Sequence, residues 1–263
     1  MKFSSKTMNL NIKNQVAYLT FKKLEEFKFI RHAFSTRLGG VSSGNFATLN
    51  LSKKIDDEEK VEENIQRFCN SAGFDRESIC FIKQNHGTNI KVVTNNQQND
   101  GEFFDGSITN IKNLTLVTLH ADCSPIFIVD PVTESIGMLH AGWRGVVADI
   151  SKEAILKMKL NFGSLAENLI CCIGPSIGPC CFEIQEDTQH EFEKISPKLI
   201  KKRNNKIYVD IFECNKINLL KSGVKEENIF ISDLCTKCNH ELLFSYRQQG
   251  KIHGNMAAMI ELI

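Results

Sequence analysis

The residues that could do chemistry gather in a few short segments. Gln84-Asn85-His86-Gly87, Ala121-Asp122-Cys123 and His140-Ala141-Gly142-Trp143-Arg144-Gly145 each follow a short apolar run, and each offers a metal ligand on a connecting loop. Loops at the ends of rigid elements are where a scaffold presents functional groups. His86, Cys123 and His140 together make a three-ligand set of two imidazoles and one thiolate. Such a set suits Zn²⁺ and leaves a fourth position open, the arrangement of a catalytic site, where the ion lowers the pKa of a water towards 7. The same residues read equally well as a buried thiol with two hydrogen-bonded histidines, and as a metal-free pair in which Cys123 is a nucleophile and His140 its base.

Arginine carries a second signal. Of 32 basic residues only 7 are Arg, and three of those, Arg37, Arg144 and Arg247, fall inside Gly-containing or aromatic motifs. A planar guanidinium binds two oxygens of a phosphate at once, so these are expected substrate contacts. Arg37, beside Gly39-Gly40, is the preferred anion contact, because backbone N–H groups can approach there. Asp122 and Asp105 are candidates for orienting the ligand histidines, with Asp105-Gly106 read in preference as a turn. Trp143, the single Trp, is expected to pack between strand and helix. Cys181 in Gly174-Pro-Ser-Ile-Gly-Pro-Cys-Cys-Phe-Glu183 is a pocket candidate. Cys235-Thr-Lys-Cys238 invites a second-metal reading but lacks a second spaced pair, and Cys171-Cys172 and Cys180-Cys181 are too closely adjacent to resemble one. Local packing is expected there instead.

The elements that must position these groups read as α+β, a single domain over 1–263 of mixed β-sheets with flanking helices. Apolar, often β-branched runs predict strands at 16–21, 30–35, 79–83, 90–94, 114–119, 126–130, 136–139, 169–173, 206–211, 229–232 and 256–262. Helices are expected over 57–72, where Val61, Ile65, Phe68 and Ala72 share a face, over about 146–160, and near 186–195 and 211–222. Runs 114–119, 126–130 and 136–140 follow one another like hairpins, which argues against a regular alternation of strand and helix.

The segments Gln84–Gly87, Ala121-Asp-Cys-Ser-Pro125, His140–Gly145 and Gly174–Glu183, together with Thr36-Arg-Leu-Gly-Gly-Val-Ser42 and Phe244-Ser-Tyr-Arg247, resemble the laccase-domain family. This family is also called the multicopper polyphenol oxidoreductase family, and its members are described as purine nucleoside phosphorylases. The matches run in the family's order from about 32 to 260. The resemblance implies zinc on His86, Cys123 and His140, and a cytoplasmic enzyme that acts on adenosine, inosine and methylthioadenosine with phosphate, with a deaminase side activity. Some members are tied instead to editing of peptidoglycan precursors. Three positions depart from the pattern: Asn85 replaces an apolar residue, His120 a Thr, and Gln248 a second Arg. In an extended strand His120 points opposite to Cys123, which argues against ligation.

Composition excludes other classes. A formal charge of +1 carries no electrostatic footprint for nucleic acid or a membrane surface. The first sixteen residues lack an apolar signal core, and no run reaches the roughly 18 apolar residues of a membrane span. Ten Cys in 263 residues are too few for a disulfide scaffold, so reduced thiols in the cytoplasm are expected. Copper is the less favoured metal, since seven scattered His with no His-x-His pair do not furnish a multinuclear cluster. A cytidine-deaminase-type site is disfavoured because its Pro-Cys-x-x-Cys signature is missing.

Overall fold

The structure, a computed structural model, describes residues 3–95 and 101–263. The strands are β1 (Met8–Lys13), β2 (Val16–Phe21), β3 (Ile30–Ser35), β4 (Ile79–Cys80), β5 (Ile90–Val92), β6 (Gly106–Thr109), β7 (Thr115–His120), β8 (Ser124–Asp130), β9 (Ser135–Ala141), β10 (Ile170–Ile173), β11 (Glu183–Ile184), β12 (Ile200–Arg203), β13 (Lys206–Val209), β14 (Ile229–Ile231) and β15 (Met256–Leu262). The helices are α1 (Glu58–Ala72), α2 (Trp143–Val147), α3 (Ile150–Phe162), α4 (Glu186–Ile195), α5 (Ile211–Lys221) and α6 (Tyr246–Gln249). Two six-stranded sheets, β1-β2-β3-β15-β7-β4 and β14-β10-β8-β9-β6-β5, carry most of the chain, and β11-β13-β12 form a small third sheet. Both large sheets are mixed, with parallel pairs at β4/β7, β5/β6 and β10/β14.

Alternation along the strands explains the layers. On β8, Ile126 and Ile128 face one apolar cluster with α3 and α5, while Phe127 and Val129 face another that contains Leu19, Phe34 and Leu116 of the first sheet. On β15, Ala258 and Ile260 join that inter-sheet cluster, whereas Ala257 and Met259 pack with Val61, Ile65 and Phe68 of α1. The order is therefore α1, first sheet, second sheet, then α2, α3 and α5. Strands buried on both faces read as continuous apolar runs instead of alternating ones. Phe127, fully buried between the sheets with Phe21 at 5.8 Å and His32 at 6.0 Å between ring centroids, shows the packing that holds them together; Phe127→Ala would cost about 3–5 kcal/mol.

The expected α+β architecture of mixed sheets is what the chain adopts, with local differences. The helix expected over 146–160 is two helices. Asp149 (φ 59°) interrupts it and its carboxylate accepts from Lys152 N–H, capping α3. The run 79–83 pairs as a strand only at Ile79–Cys80, and 206–211 ends at Val209 because Asp210 caps α5. Strand β1 was not expected. It pairs with β2 through Asn14-Gln15, both left-handed (φ 49° and 67°), a tight turn made without the Asn-Gly that advertises one. Of the hairpin-like succession, β8 and β9 are a true hairpin, but β7 lies in the other sheet. Ala121-Asp122-Cys123 is thus a crossing from one sheet to the other. No helix among the described residues is long and apolar enough to cross a membrane.

Candidate active site

At one end of the two sheets, β7 and β9 finish side by side. Thr118 and His120 share the inter-sheet face of β7 with Leu116, and His140 shares that of β9 with Ile136 and Met138. Cys123 reaches the same place from the sheet crossing, and His86 from the loop after β4. The result joins three distant segments: the possible ligand atoms of His86, Cys123 and His140 all lie within 4.8 Å of one another. The Cys123 Sγ is 3.9 Å from His86 Nδ1, and the two imidazoles are 4.9 Å apart between centroids. Tetrahedral zinc with one thiolate and two imidazoles needs donor–donor separations of about 3.3–3.6 Å, so donors already within 4.8 Å of one another reach an ion by a small closing movement.

What holds the donors is as informative as their spacing. His140 Nδ1 is 2.8 Å from Asp105 Oδ1, so the buried carboxylate accepts a hydrogen bond from Nδ1–H and leaves Nε2 for the site. The same carboxylate accepts from three successive backbone N–H groups, Asn85 (3.2 Å), His86 (2.9 Å) and Gly87 (2.6 Å). These bonds and the His140 contact outweigh burial, which pushes the Asp105 carboxyl up, and hold it below its ordinary range. Asp105 is therefore the residue that orients His140, not the local turn its Asp-Gly sequence suggested. His86 adopts φ 64°, a left-handed turn stabilised by this grip. Gly142 is needed for clearance, since a Cβ there would sit 2.5 Å from His86 Nδ1 and 3.4 Å from Cys123 Sγ.

The electrostatics follow. Burial pushes the Cys123 thiol up, but His140 and His86 beside it more than offset this and bring it down to about 6. Burial pushes His140 down, while Cys123 and Asp105 outweigh it and raise it to about 9. A thiolate facing an imidazolium is the form this geometry favours without an ion, and the thiolate is also the form that binds metal. His120 stands behind His140, centroids 5.3 Å apart, with Nε2 2.7 Å from Thr118 Oγ1 and Nδ1 3.1 Å from the Cys123 carbonyl. Burial and the nearby His140 hold it well below its ordinary value, and both its nitrogens are engaged away from the donor set.

The donors open into a cavity of about 720 Å³. Its walls carry Trp143, Phe182 and Tyr246 and four cations, Lys54, Arg144, Arg247 and Lys251. Arg144 stacks on Trp143 (4.3 Å to the ring), and Arg247 donates to the Glu183 carbonyl (2.7 Å) over Phe182. Trp143 both packs, 6.5 Å from Phe192, and faces the cavity. Three expectations shift. Arg37 is outside the cavity lining; its Nε and one terminal nitrogen donate to the Ala47 and His240 carbonyls, each at 2.8 Å, over Phe244. Asp122 borders the cavity, but its oxygens accept from Thr236 Oγ1 (2.5 Å) and Arg247 N–H (2.7 Å), so it ties loops together and orients no histidine. Cys181 lies with other sulfurs beyond the cavity lining. Lys54, Lys251, Tyr246 and His253 were missed, because two lysines among 25 carry no distinguishing sequence signal.

Comparison with known proteins settles the lineage. The family model described as multi-copper polyphenol oxidoreductase laccase matches residues 31–263. The chain belongs to that laccase family. A relative in Bacteroides thetaiotaomicron, named purine nucleoside phosphorylase, is 30% identical over 265 residues, covering 95% of this chain and 98% of its own. The mouse protein named purine nucleoside phosphorylase LACC1 is 34% identical over 88% of this chain, which spans 55% of that relative's length. Human LACC1 is likewise matched over 55% of its length. The crystal structure of YlmD from Geobacillus stearothermophilus superposes with a TM-score of 0.89 at 28% identity, covering 96% of this chain and 98% of that one. The laccase-family fold thus extends over nearly the whole chain.

Proposed function

We propose that the chain is a purine nucleoside phosphorylase, which converts adenosine, inosine or methylthioadenosine and phosphate into free base and the sugar 1-phosphate. The supporting observation is the His86–Cys123–His140 donor set opening into a cavity with four cations on its walls, and the names of relatives along the chain agree with it. His86, Cys123 and His140 would hold Zn²⁺, which supplies Lewis-acid polarisation at the cavity floor. Asp105 keeps His140 in one tautomer. Arg144, Arg247, Lys54 and Lys251 attract and orient the phosphate dianion. Trp143, Phe182 and Tyr246 offer faces for a purine. In the reaction a phosphate oxygen bonds to C1′ as the bond from C1′ to the base nitrogen breaks; the electron pair leaves with the base, which takes up the proton of hydrogen phosphate. The same reading places small molecules as the partners, zinc ahead of copper as the metal, and the protein in a reducing cytoplasm.

Incubation of metal-characterised protein with inosine, with and without phosphate, tests this. Free hypoxanthine and ribose 1-phosphate are expected only with phosphate present. Base released without phosphate, or no base at all, overturns it. Formation of inosine from adenosine checks the deaminase side activity. A second reading rests on the depressed Cys123 thiol beside a raised His140: a thiol hydrolase, including one that edits cell-wall precursors. It requires activity that survives a chelator and dies on alkylation, whereas the phosphorylase reading requires loss with the chelator.

A further inference from the structure

A second group of sulfurs lies outside the cavity lining. Cys180 and Cys181, in the loop between β10 and β11, meet Cys235 and Cys238, in the loop between β14 and α6, with all four Sγ atoms within 4.8 Å of one another. Cys238 Sγ is 3.4 Å from Cys180 Sγ and 3.5 Å from Cys181 Sγ. Four thiolates around zinc at about 2.3 Å stand about 3.8 Å apart along the edges of the tetrahedron, so the sulfurs are already near those separations. Sequence order hid this: an adjacent Cys pair and a Cys-x-x-Cys each looked incomplete, and the fold supplies each with the other.

The surroundings fit an ion and not a chance meeting of thiols. Gly178 N–H donates to Cys235 Sγ at 3.2 Å, and the Cys238 N–H donates to the same sulfur, the pattern by which a Cys-x-x-Cys turn supports a metal thiolate. Gly178 leaves the sulfurs little spare room, since a Cβ there would lie 3.2 Å from the Cys235 Cβ and 3.4 Å from Cys180 Sγ. Arg203 donates to the carbonyls of Pro179 (2.9 Å) and Cys180 (3.0 Å), and so brings a cation to the edge of the group. A zinc with four thiolates has two net negative charges, and these N–H groups and Arg203 counter them. Cys180 and Cys238 are exposed, so an ion can reach the site from solvent.

We infer that Cys180, Cys181, Cys235 and Cys238 bind a structural Zn²⁺ that clamps the β10–β11 loop, which brings Ile177 and Phe182 to the cavity wall, to the loop that leads into α6 with Tyr246 and Arg247. All four ligands come from protein, so no coordination position is left for chemistry. The clamp acts on the cavity by a short route. Thr236, next to Cys235, bonds to Asp122 and pairs its N–H with Ser176 O (3.0 Å), while Ile177 N–H donates to Asp122 O (2.9 Å). This inference stands whether or not the His86–Cys123–His140 set holds a metal.

The test uses the full chain with both histidines of the first set changed, His86→Ala/His140→Ala, which leaves all four sulfurs in place. Purified with Zn²⁺ present, this variant should bind one zinc per chain by elemental analysis, against two for the unmodified protein. Loaded with Co²⁺, it should show the strong sulfur-to-cobalt absorption of a four-thiolate tetrahedral site. In the zinc-replete unmodified protein the exposed thiols of Cys180 and Cys238 should react with a thiol reagent at least ten-fold more slowly than after removal of metal by a chelator. Cys180→Ser/Cys238→Ser in that variant background should abolish the remaining zinc. A variant without bound zinc, equal thiol reactivity with and without metal, iron in place of zinc, or a disulfide joining Cys238 to Cys180 or Cys181 in zinc-replete protein would overturn the assignment.

Discussion

The two sulfur-bearing clusters of this chain differ in number of donors, in support and in setting. The His86–Cys123–His140 set has three donors, two of them imidazoles, placed by β9, by the sheet crossing after β7 and by a loop gripped by buried Asp105. It faces a cavity of about 720 Å³. The Cys180–Cys181–Cys235–Cys238 group has four donors, all thiols, on two loops near the surface. A site with fewer protein donors than an ion accepts depends on a rigid frame to stay open, whereas a site with a full complement can be carried by loops that the ion itself tethers. Donor count and frame together distinguish a place for chemistry from a place for cross-linking.

The comparison is most directly broken at the donors. Cys123→Ala or His140→Ala should remove one zinc equivalent and lower phosphorolysis on the order of a thousand-fold, measured by metal analysis and base release; full activity in either variant would end the catalytic reading. Asp105→Asn keeps the shape but removes the charge that fixes His140. Zinc affinity of the open site should fall about 10–100-fold, with the four-sulfur group unaffected, as read by competition with a chromophoric chelator. Arg144→Ala and Arg247→Ala should each raise the KM for phosphate about ten-fold, whereas Arg37→Lys should leave it nearly unchanged and instead lower stability by about 1–2 kcal/mol in chemical denaturation. An Arg37→Lys protein with a strongly raised phosphate KM would reverse the placement given above.

Histidine titration sharpens the contrast further. His32 is as buried as His140, but it accepts a bond from Phe21 N–H (2.8 Å) and has no carboxylate or thiolate beside it; burial pushes it down to about 3. Between that value and an unfolded value near 6.5, the unfolded chain binds a proton that the folded chain does not. Stability from this residue is therefore complete above about pH 6.5 and falls as pH drops, by up to about 1.4 kcal/mol per pH unit. Denaturation midpoints at pH 7, 6 and 5 should decline less steeply in His32→Gln than in the unmodified protein. Equal slopes would show that His32 titrates normally.

Much of this was legible in the sequence, and the failures have physical causes. The donors His86, Cys123 and His140 could be read because each follows an apolar run, and the long strands β2, β3, β7, β8, β9 and β15 because both faces are buried. Asp105 was misread because an Asp-Gly pair has a ready local explanation, while its real partners lie 18 to 35 residues away. Arg37 was overvalued for the converse reason: a guanidinium beside glycines resembles an anion site, but two carbonyls had already claimed it. The four-sulfur group escaped because neither half is complete along the chain, and only the approach of the β10–β11 loop to the β14–α6 loop brings them together.

Asp122 has a mechanical consequence. It sits at φ 90° in the step between the two sheets, and its carboxylate is shared between Thr236 on one side and Arg247 on the other. Releasing either bond would strand a buried charged oxygen, at a cost of about 1–3 kcal/mol or more. The sulfur-bearing loop, the sheet crossing and the arginine on the cavity wall are thus hung from one pin, and a displacement of any of them is felt by the other two.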